Sequence, residues 1–197
     1  MSAIAAAAAS RSGSDVATLG LTLSQQLAAD DFSLFQLPRQ FVLDRAELDG
    51  RWKDLQREAH PDKFAAQGAA AQRVAMQWSV RINEAYQRLK DPLKRAAYLC
   101  ELGGAPIQAE VNTAMPSAFL IQQMAWREAL DEALSMPALE TLHEDVIRVR
   151  REHLALCERQ LDLDHDFSRA AATVRALMFI ERFASDIETR LDNMDDV

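Results

Sequence analysis

The sequence lacks the marks of several protein classes. Its two cysteines, Cys100 and Cys157, lie far apart, in no CxxC pair and beside no pair of histidines, which excludes a zinc-ribbon site and a disulfide framework. No apolar run approaches the roughly 20 residues that span a membrane, so we expect no membrane association. The net charge of -8 argues against nonspecific binding to nucleic acids. We therefore expect a soluble protein with two buried free thiols in a reducing compartment.

Glycine and proline are also scarce, with six of each in 197 residues. Alternating β-branched runs bounded by turns are missing, whereas alanine, leucine, glutamate, glutamine and arginine are abundant. The hydrophobic content of 49% is enough for a substantial core. These features together predict an all-α fold.

Charge and composition divide the chain. Residues 1–104 carry 13 Lys and Arg against 12 Asp and Glu, whereas residues 105–197 carry 9 against 18. The opening "MSAIAAAAASRSGSD" has no basic residue ahead of its apolar stretch, which excludes a secretory signal. We predict a disordered, low-complexity tail at 1–28, a first domain at 29–104 and a second domain at 105–197. The boundary is marked by Gly103 and Gly104.

Four helices are predicted in the first domain. The segment "DDFSLFQLP" forms a short one. Asp44, with Glu47 three residues later, resembles a capping box and opens a second helix, which must end just before Pro61. The helical spacing of one apolar stripe predicts a third helix, and "LKRAAYLCEL" predicts a fourth. The stripe consists of Val74, Trp78, Ile82, Ala85 and Leu89. The second and third helices therefore form a hairpin whose loop begins with His60.

The second domain is predicted to be an antiparallel three-helix bundle. Its helices are expected at about 116–134, 137–161 and 166–194, and such short connections make neighbouring helices antiparallel. His153 falls on the apolar stripe of the middle helix, so we expect a partly buried core histidine there.

The tripeptide His60-Pro61-Asp62 is the candidate site of chemistry in the first domain. A rigid proline separates the histidine from the aspartate, and no serine or cysteine nucleophile is marked nearby, which disfavours catalysis. The other histidines are far away in sequence without zinc-like spacing, which disfavours a metal site. A hydrolase or metal enzyme that uses His60 and Asp62 stays an alternative, and metal analysis of the purified protein would reveal it. Lys53 and Arg57 lie on the same helix face as His60 and form a basic ridge that leads into the loop.

The helix at 116–134 presents two different apolar faces. Five residues share the arc that suits the bundle core: Phe119, Gln123, Trp126, Leu130 and Leu134. Five others share a second arc about 150° away: Leu120, Ile121, Met124, Glu128 and Glu132. Large apolar side chains beside acids and outside the core arc indicate an exposed docking patch. The alternative is a helix that is buried on two sides by its neighbours and by the first domain. Phe179, off the main stripe of the last helix, is expected at the edge of the patch.

Residues 31–104 resemble a J domain, the module by which co-chaperones engage a heat-shock ATPase of the DnaK or HscA type. The resemblance rests on "DFSLFQLP", on "HPDKF" in the loop and on "INEAYQRLKDPLKRAAYL" in the third and fourth helices. It implies that the chaperone is bound by six residues: His60, Pro61, Asp62, Lys53, Arg57 and Lys63. The first three would be indispensable for stimulating ATP hydrolysis by the chaperone, and the three basic residues would provide an electrostatic contact.

The longer stretch 31–194 resembles the iron-sulfur cluster co-chaperones of the HscB family, on "AFLIQQMAWREALDE" and "AATVRALMFIERF". The resemblance implies that the bundle binds an IscU-type scaffold protein through Leu120, Ile121, Met124, Glu128, Glu132 and Phe179. Ala125 stands where the family often has an acidic residue, which removes one charged contact. The expected protein is a bacterial, cytoplasmic adaptor with no enzymatic activity, no catalytic residue, no metal and no cofactor. Two alternatives keep the J domain: a different client, or a second domain that self-associates.

Overall fold

The computed structural model describes residues 29–108 and 115–195, and no β-strand occurs within these ranges. They contain seven α-helices: α1 (Asp31–Leu34), α2 (Arg45–Glu58), α3 (Ala69–Lys90), α4 (Pro92–Leu102), α5 (Ser117–Glu132), α6 (Met136–Glu158) and α7 (Phe167–Asp195). A 3-10 helix, Pro61–Gln67, lies between α2 and α3, and a π-helical turn, Arg159–Leu163, follows α6. The all-α fold class is confirmed. The predicted tail at 1–28 lies outside the described residues.

No helix in the part of the chain that the structure describes has both the length and the apolar character needed to cross a membrane.

The described chain forms two compact units. One contains the residues up to Arg39 together with Asp44–Lys90, and the other contains Gln40–Leu43 together with the residues from Asp91 onward. Helix α4 packs against α7 in the second unit, although its sequence lies before the predicted boundary at residue 104. The division into domains at 104 stays a prediction.

In the first unit a buried ion-pair cluster ties α1 to α3. Asp30 caps α1 by accepting hydrogen bonds from the backbone N–H groups of Phe32 and Ser33. The next residue, Asp31, is fully buried, with its carboxylate 2.6 Å from a guanidinium nitrogen of Arg81 and 2.7 Å from one of Arg88. A buried carboxylate is tolerated only when it is paired in this way. The start of the described chain is therefore fixed on α3.

The α2–α3 hairpin is held by both polar and aromatic contacts. Helix α2 begins at the predicted place, since the Asp44 side chain accepts from the backbone N–H groups of Ala46 and Glu47. The ring of Trp52 stacks on that of Tyr86 with 4.8 Å between centroids. The buried residues of α3 are Ala75, Trp78, Ile82, Ala85, Tyr86 and Leu89. Val74, predicted to be on this stripe, is instead 36% exposed, because Ala75 occupies the core position one residue later.

The second unit is built around α6 and α7. Their fully buried side chains include Leu139, Val146, Val174, Leu177 and Ile180. The segment Gln40–Leu43 joins this unit because Asp162 accepts hydrogen bonds from the backbone N–H groups of Phe41 at 2.6 Å and Val42 at 2.9 Å.

The two cysteines lie in the second unit as buried free thiols, as predicted. Burial raises the pKa of both thiols, Cys100 and Cys157, to about 12. Because the thiolate is the reactive form, both side chains act as small apolar groups of the core at neutral pH.

Gly103 is required by close packing, a role that no local pattern in the sequence predicts. It ends α4 and donates its N–H to the carbonyl oxygen of Leu99 at 2.9 Å. A Cβ atom at this position would overlap the ring of Phe167. Its neighbour Gly104 has a φ of 77°, in the left-handed region that glycine tolerates best.

We expect Gly103→Ala to lower the free energy of unfolding by about 1–3 kcal/mol, the usual cost of forcing extra volume into a packed site. Urea denaturation followed by circular dichroism measures this change. Gly50→Ala is the matched control, because a Cβ at Gly50 in α2 meets nothing within 4 Å and removing a helical glycine is stabilising. Equal destabilisation by the two variants would contradict the packing role of Gly103.

Candidate functional site

The His60-Pro61-Asp62 loop has a defined local structure. The backbone of His60 is extended, with φ −62° and ψ 124°, as expected for a residue before proline. Helix α2 therefore ends at Glu58, with Ala59 as its C-cap, and Pro61 begins the 3-10 helix. His60 caps that helix, because its Nδ1 accepts the backbone N–H of Asp62 at 3.3 Å. In the neutral ring this hydrogen bond leaves the proton on Nε2.

Both polar side chains of the loop face solvent. The side chain of His60 is 60% exposed and that of Asp62 is 91% exposed. A carboxylate oxygen of Asp62 lies 3.6 Å from His60 Nδ1, too far for a strong hydrogen bond. Asp62 therefore presents an acceptor that a cation on another protein can reach.

Hydrogen bonds between α2 and α3 fix the start of the loop. Ser79 donates its hydroxyl hydrogen to the carbonyl oxygen of Ala59, at 3.2 Å. Gln56 donates to the carbonyl oxygen of Ser79 at 3.2 Å and to the side chain of Asn83 at 2.9 Å. The end of α2, and with it the start of the loop, is thus fixed relative to α3.

The predicted basic residues Lys53, Arg57 and Lys63 are all exposed. Arg57 makes an ion pair with Asp54 at 3.0 Å, with both side chains more than 60% exposed. Such an exposed pair contributes little to stability and is readily exchanged for another partner. The structure thus places these residues on the surface of the same unit as the loop, and their role in binding a chaperone stays a prediction.

Two observations bear on the alternative of a hydrolase or metal enzyme that uses His60 and Asp62. Among the described residues, no group of three or more His, Cys, Asp or Glu side chains is arranged to hold a metal ion. The exposure of His60 and Asp62 is also unlike a site that excludes water.

Helix α5 has the two faces that its sequence predicts. Phe119 and Trp126 are buried, whereas Leu120, Ile121 and Met124 are 45%, 69% and 71% exposed. The two acids of the second arc, Glu128 and Glu132, are exposed as well. The neighbouring helices of the second unit therefore do not bury both faces of α5. We call the face formed by Leu120, Ile121, Met124, Glu128 and Glu132 the α5 patch; its role in binding a scaffold protein stays a prediction.

One residue of the predicted core arc is misplaced. Leu134 is 85% exposed, while Ala133 is buried. The reason is that α5 ends at Glu132 and Ala133 has an extended backbone, with φ −72° and ψ 100°. Helical periodicity no longer applies beyond that point.

Phe179 belongs to a row of aromatic rings between α5 and α7. It is half-buried, makes an edge contact with Phe119 and stacks on Phe183, with 5.9 Å between centroids in each case. Phe183 in turn stacks on Trp126 at 5.7 Å. His153 contacts Phe119 at 5.6 Å and is partly buried, as predicted. Part of the Phe179 ring therefore packs against α5.

A groove beside this row was not predicted. It has a volume of about 380 Å³. Its lining residues are Arg127, Leu130, Phe179, Arg182, Phe183 and Asp186. The feature of the sequence that could have indicated this groove is Arg127, the single basic residue of α5.

Trp126 and Asp145 fix α5 on α6. The indole N–H of Trp126 donates to the Asp145 carboxylate at 2.9 Å. This hydrogen bond lowers the pKa of Asp145 below its ordinary value; partial burial raises it, and Arg148 lowers it further. The folded state therefore favours the carboxylate form.

Because the pKa of Asp145 is lower in the folded state, the carboxylate stabilises the fold above its unfolded pKa of about 3.9, and this contribution is lost as the pH falls below that value. We expect Asp145→Ala to lower the free energy of unfolding by about 1 kcal/mol at pH 7, since solvent screens this partly exposed group. Below about pH 3 the difference from the wild type should shrink. Urea denaturation at both pH values, with the exposed neighbour Glu144→Ala as control, measures this. A difference independent of pH would contradict it.

Comparison with known proteins gives the family. Residues 115–188 match the family model described as the HSCB C-terminal oligomerisation domain. A co-chaperone protein HscB homolog of Burkholderia multivorans is 48% identical over 167 residues, which are 83% of this chain and 95% of the relative. The homolog of Cupriavidus taiwanensis is 46% identical over 177 residues, covering 88% of this chain and all of the relative.

Solved structures agree. Chaperone HscB from Vibrio cholerae has a TM-score of 0.72 and 35% identity, over 84% of this chain and 99% of its own. Human co-chaperone protein HscB has a TM-score of 0.74 and 30% identity, over 85% of this chain and 82% of its own. The resemblance found in the sequence is thereby confirmed, and the chain belongs to the HscB family of co-chaperones.

Proposed function

We propose that this protein is an adaptor that stimulates the ATPase of an HscA/DnaK-type chaperone and delivers an IscU-type scaffold protein to it, so that iron-sulfur clusters reach acceptor proteins. The observation that carries the proposal is the exposed His60-Pro61-Asp62 loop, fixed on a helical hairpin, in a chain whose other unit exposes the α5 patch. The cluster is cargo of the scaffold protein.

The loop supplies the contact with the chaperone. Pro61 restricts the backbone, so little conformational entropy is lost when the loop is bound. The Asp62 carboxylate can accept a charge-assisted hydrogen bond from an arginine of the chaperone. Lys53, Arg57 and Lys63 would speed the encounter with an acidic surface and make binding sensitive to salt.

The α5 patch supplies the contact with the scaffold. Leu120, Ile121 and Met124 expose apolar surface that is released from water when a partner covers it. Glu128 and Glu132 lie beside them and suit basic residues on the scaffold. Phe179 contributes the exposed part of its ring.

Binding both proteins at once explains how an adaptor without chemistry of its own changes the rate of ATP hydrolysis. Holding the scaffold raises its effective concentration at the chaperone. Because coupling between two binding equilibria is reciprocal, an adaptor that raises the affinity of the chaperone for the scaffold is itself bound more tightly, by the same factor, when the scaffold is present. We place this action in the cytoplasm, as the resemblance implies.

The second candidate function is self-association of the bundle. The description of the matching family model as an oligomerisation domain favours it. In that case the α5 patch would be covered by a second copy, and analytical ultracentrifugation would show a mass that rises with concentration and falls when the patch is altered.

Single-turnover ATP hydrolysis by the HscA-type chaperone tests the adaptor. This protein and the IscU-type scaffold are added separately and together. Stimulation by both that exceeds the sum of the separate effects supports the proposal. Stimulation by this protein with no contribution from the scaffold would retain the chaperone contact and reject the client, and no stimulation would reject both.

A further inference from the structure

The groove between α5 and α7 has an apolar floor and a basic rim. Leu130, Phe179 and Phe183 form the floor, and Arg127 and Arg182 stand exposed at the rim with Asp186. The guanidinium carbon of Arg127 lies 5.7 Å from the centre of the Phe179 ring. A volume of about 380 Å³ is within the range of sites that enclose a ligand or a large side chain.

The two rim arginines have no acidic partner in the described part of the chain, whereas Arg148, Arg150, Arg159 and Arg169 of the same unit each pair with an acid. Arg150 pairs with Glu181 at 2.7 Å. Arg190 donates to the carbonyl oxygens of Leu130 and Ala133, which end α5. In the described part of the chain, neither Arg127 nor Arg182 makes a salt bridge, although Asp186 is one helical turn from Arg182.

The sign of this charge is unusual for its surroundings. Residues 105–197 carry 18 Asp and Glu against 9 Lys and Arg, and Arg127 is the single basic residue of α5. Two guanidinium groups beside aromatic rings in an acidic domain form a local site for a carboxylate, which an arginine binds through two parallel hydrogen bonds.

The groove is continuous with the α5 patch. Phe179 lines the groove and contacts Phe119 and Arg127 of α5. Arg127 follows Met124 by three residues, so the two side chains are neighbours on the helix surface. A protein that covers the patch can therefore also contact the groove.

We propose that the IscU-type scaffold inserts an apolar side chain into this groove and places an adjacent carboxylate on Arg127 and Arg182. This inference rests on the proposed function, since it extends the scaffold site. The groove adds positive charge beside the negative charge of the α5 patch. The scaffold therefore contacts acids at Glu128 and Glu132 and arginines at the groove. Such alternation fixes the orientation in which the scaffold docks, because the reversed orientation brings like charges together.

The test is isothermal titration of the full-length protein with the scaffold at low and at physiological salt. Arg127→Met with Arg182→Met removes both charges but keeps most of the apolar stems. We expect affinity to fall about tenfold or more at low salt, and the salt dependence of the remaining binding to be weaker. Arg151→Met is the control, because Arg151 is an exposed arginine of α6 that does not line the groove and donates a hydrogen bond to a backbone carbonyl of its own helix. This variant should bind like the wild type.

A third variant separates this inference from the proposed function. Leu120→Ala with Met124→Ala alters the patch alone. If the patch variant loses affinity and the arginine variant does not, the groove is not used and this inference is overturned, while the scaffold site stands. If the arginine variant and the patch variant both bind like the wild type, this inference and the proposed scaffold site are both overturned. The same holds if the wild type does not bind the scaffold. A lowered mass of the arginine variant in ultracentrifugation, with unchanged scaffold affinity, would assign the groove to a second copy and overturn the inference.

Discussion

Asp62→Asn is expected to abolish stimulation of the chaperone ATPase while leaving the fold intact. The side chain of Asp62 is 91% exposed, and the hydrogen bond that organises the loop uses its backbone N–H, which the substitution keeps. The amide removes the charge that a partner arginine requires and keeps the size of the side chain. The loss should therefore concern binding and ATP hydrolysis alone.

Single-turnover hydrolysis and circular dichroism together measure the two parts of this expectation. Glu84→Gln is the matched control, because it neutralises another exposed carboxylate of the same unit, and it should stimulate like the wild type. Full stimulation by Asp62→Asn would show that the loop does not carry the charge contact. An unfolded variant would show instead that Asp62 has a structural role.

The His60-Pro61-Asp62 loop could be located from the sequence because its causes are local. Pro61 restricts the residue before it, so the end of α2 follows from a single position. The start of α2 follows likewise from the capping side chain of Asp44. Rules that depend on the nearest few residues do not require knowledge of the tertiary structure.

The α5 patch could also be predicted, since helical periodicity decides which side chains share a face. The prediction of the core arc on the same helix failed at Leu134, because α5 ends two residues earlier. The prediction of the patch also described Phe179 incompletely: the ring contacts of Phe179 with Phe119 and Phe183 depend on how α5 lies on α7. No pattern within one helix encodes that geometry.

Contacts between distant segments account for the other features that the sequence did not reveal. Gly103 is small because Phe167, 64 positions later in the chain, occupies the space beside it. The groove exists because residues of α5 and α7 come together. Pairing across such separations depends on packing, which a single sequence does not specify.

Leu120→Ala combined with Met124→Ala is expected to weaken binding of the scaffold by about 2–4 kcal/mol, or roughly 30-fold to 1000-fold in Kd. Both side chains are large and apolar, and they are 45% and 71% exposed in the free protein. If a partner buries them as anchors, truncation removes buried area from the complex and leaves the free protein almost unchanged. The effect on the free energy of unfolding should therefore be small.

A matched control removes the same kind of surface elsewhere in the unit. Leu156 and Leu163 are 42% and 73% exposed, so Leu156→Ala with Leu163→Ala makes the protein surface less apolar by a similar amount. Calorimetry should show wild-type affinity for this control. Equal weakening by both double variants would mean that general surface hydrophobicity, and not a defined patch, governs binding. Unchanged affinity in the Leu120 and Met124 variant would place the scaffold contact on another surface, since two of the three apolar side chains of the α5 patch would then be dispensable.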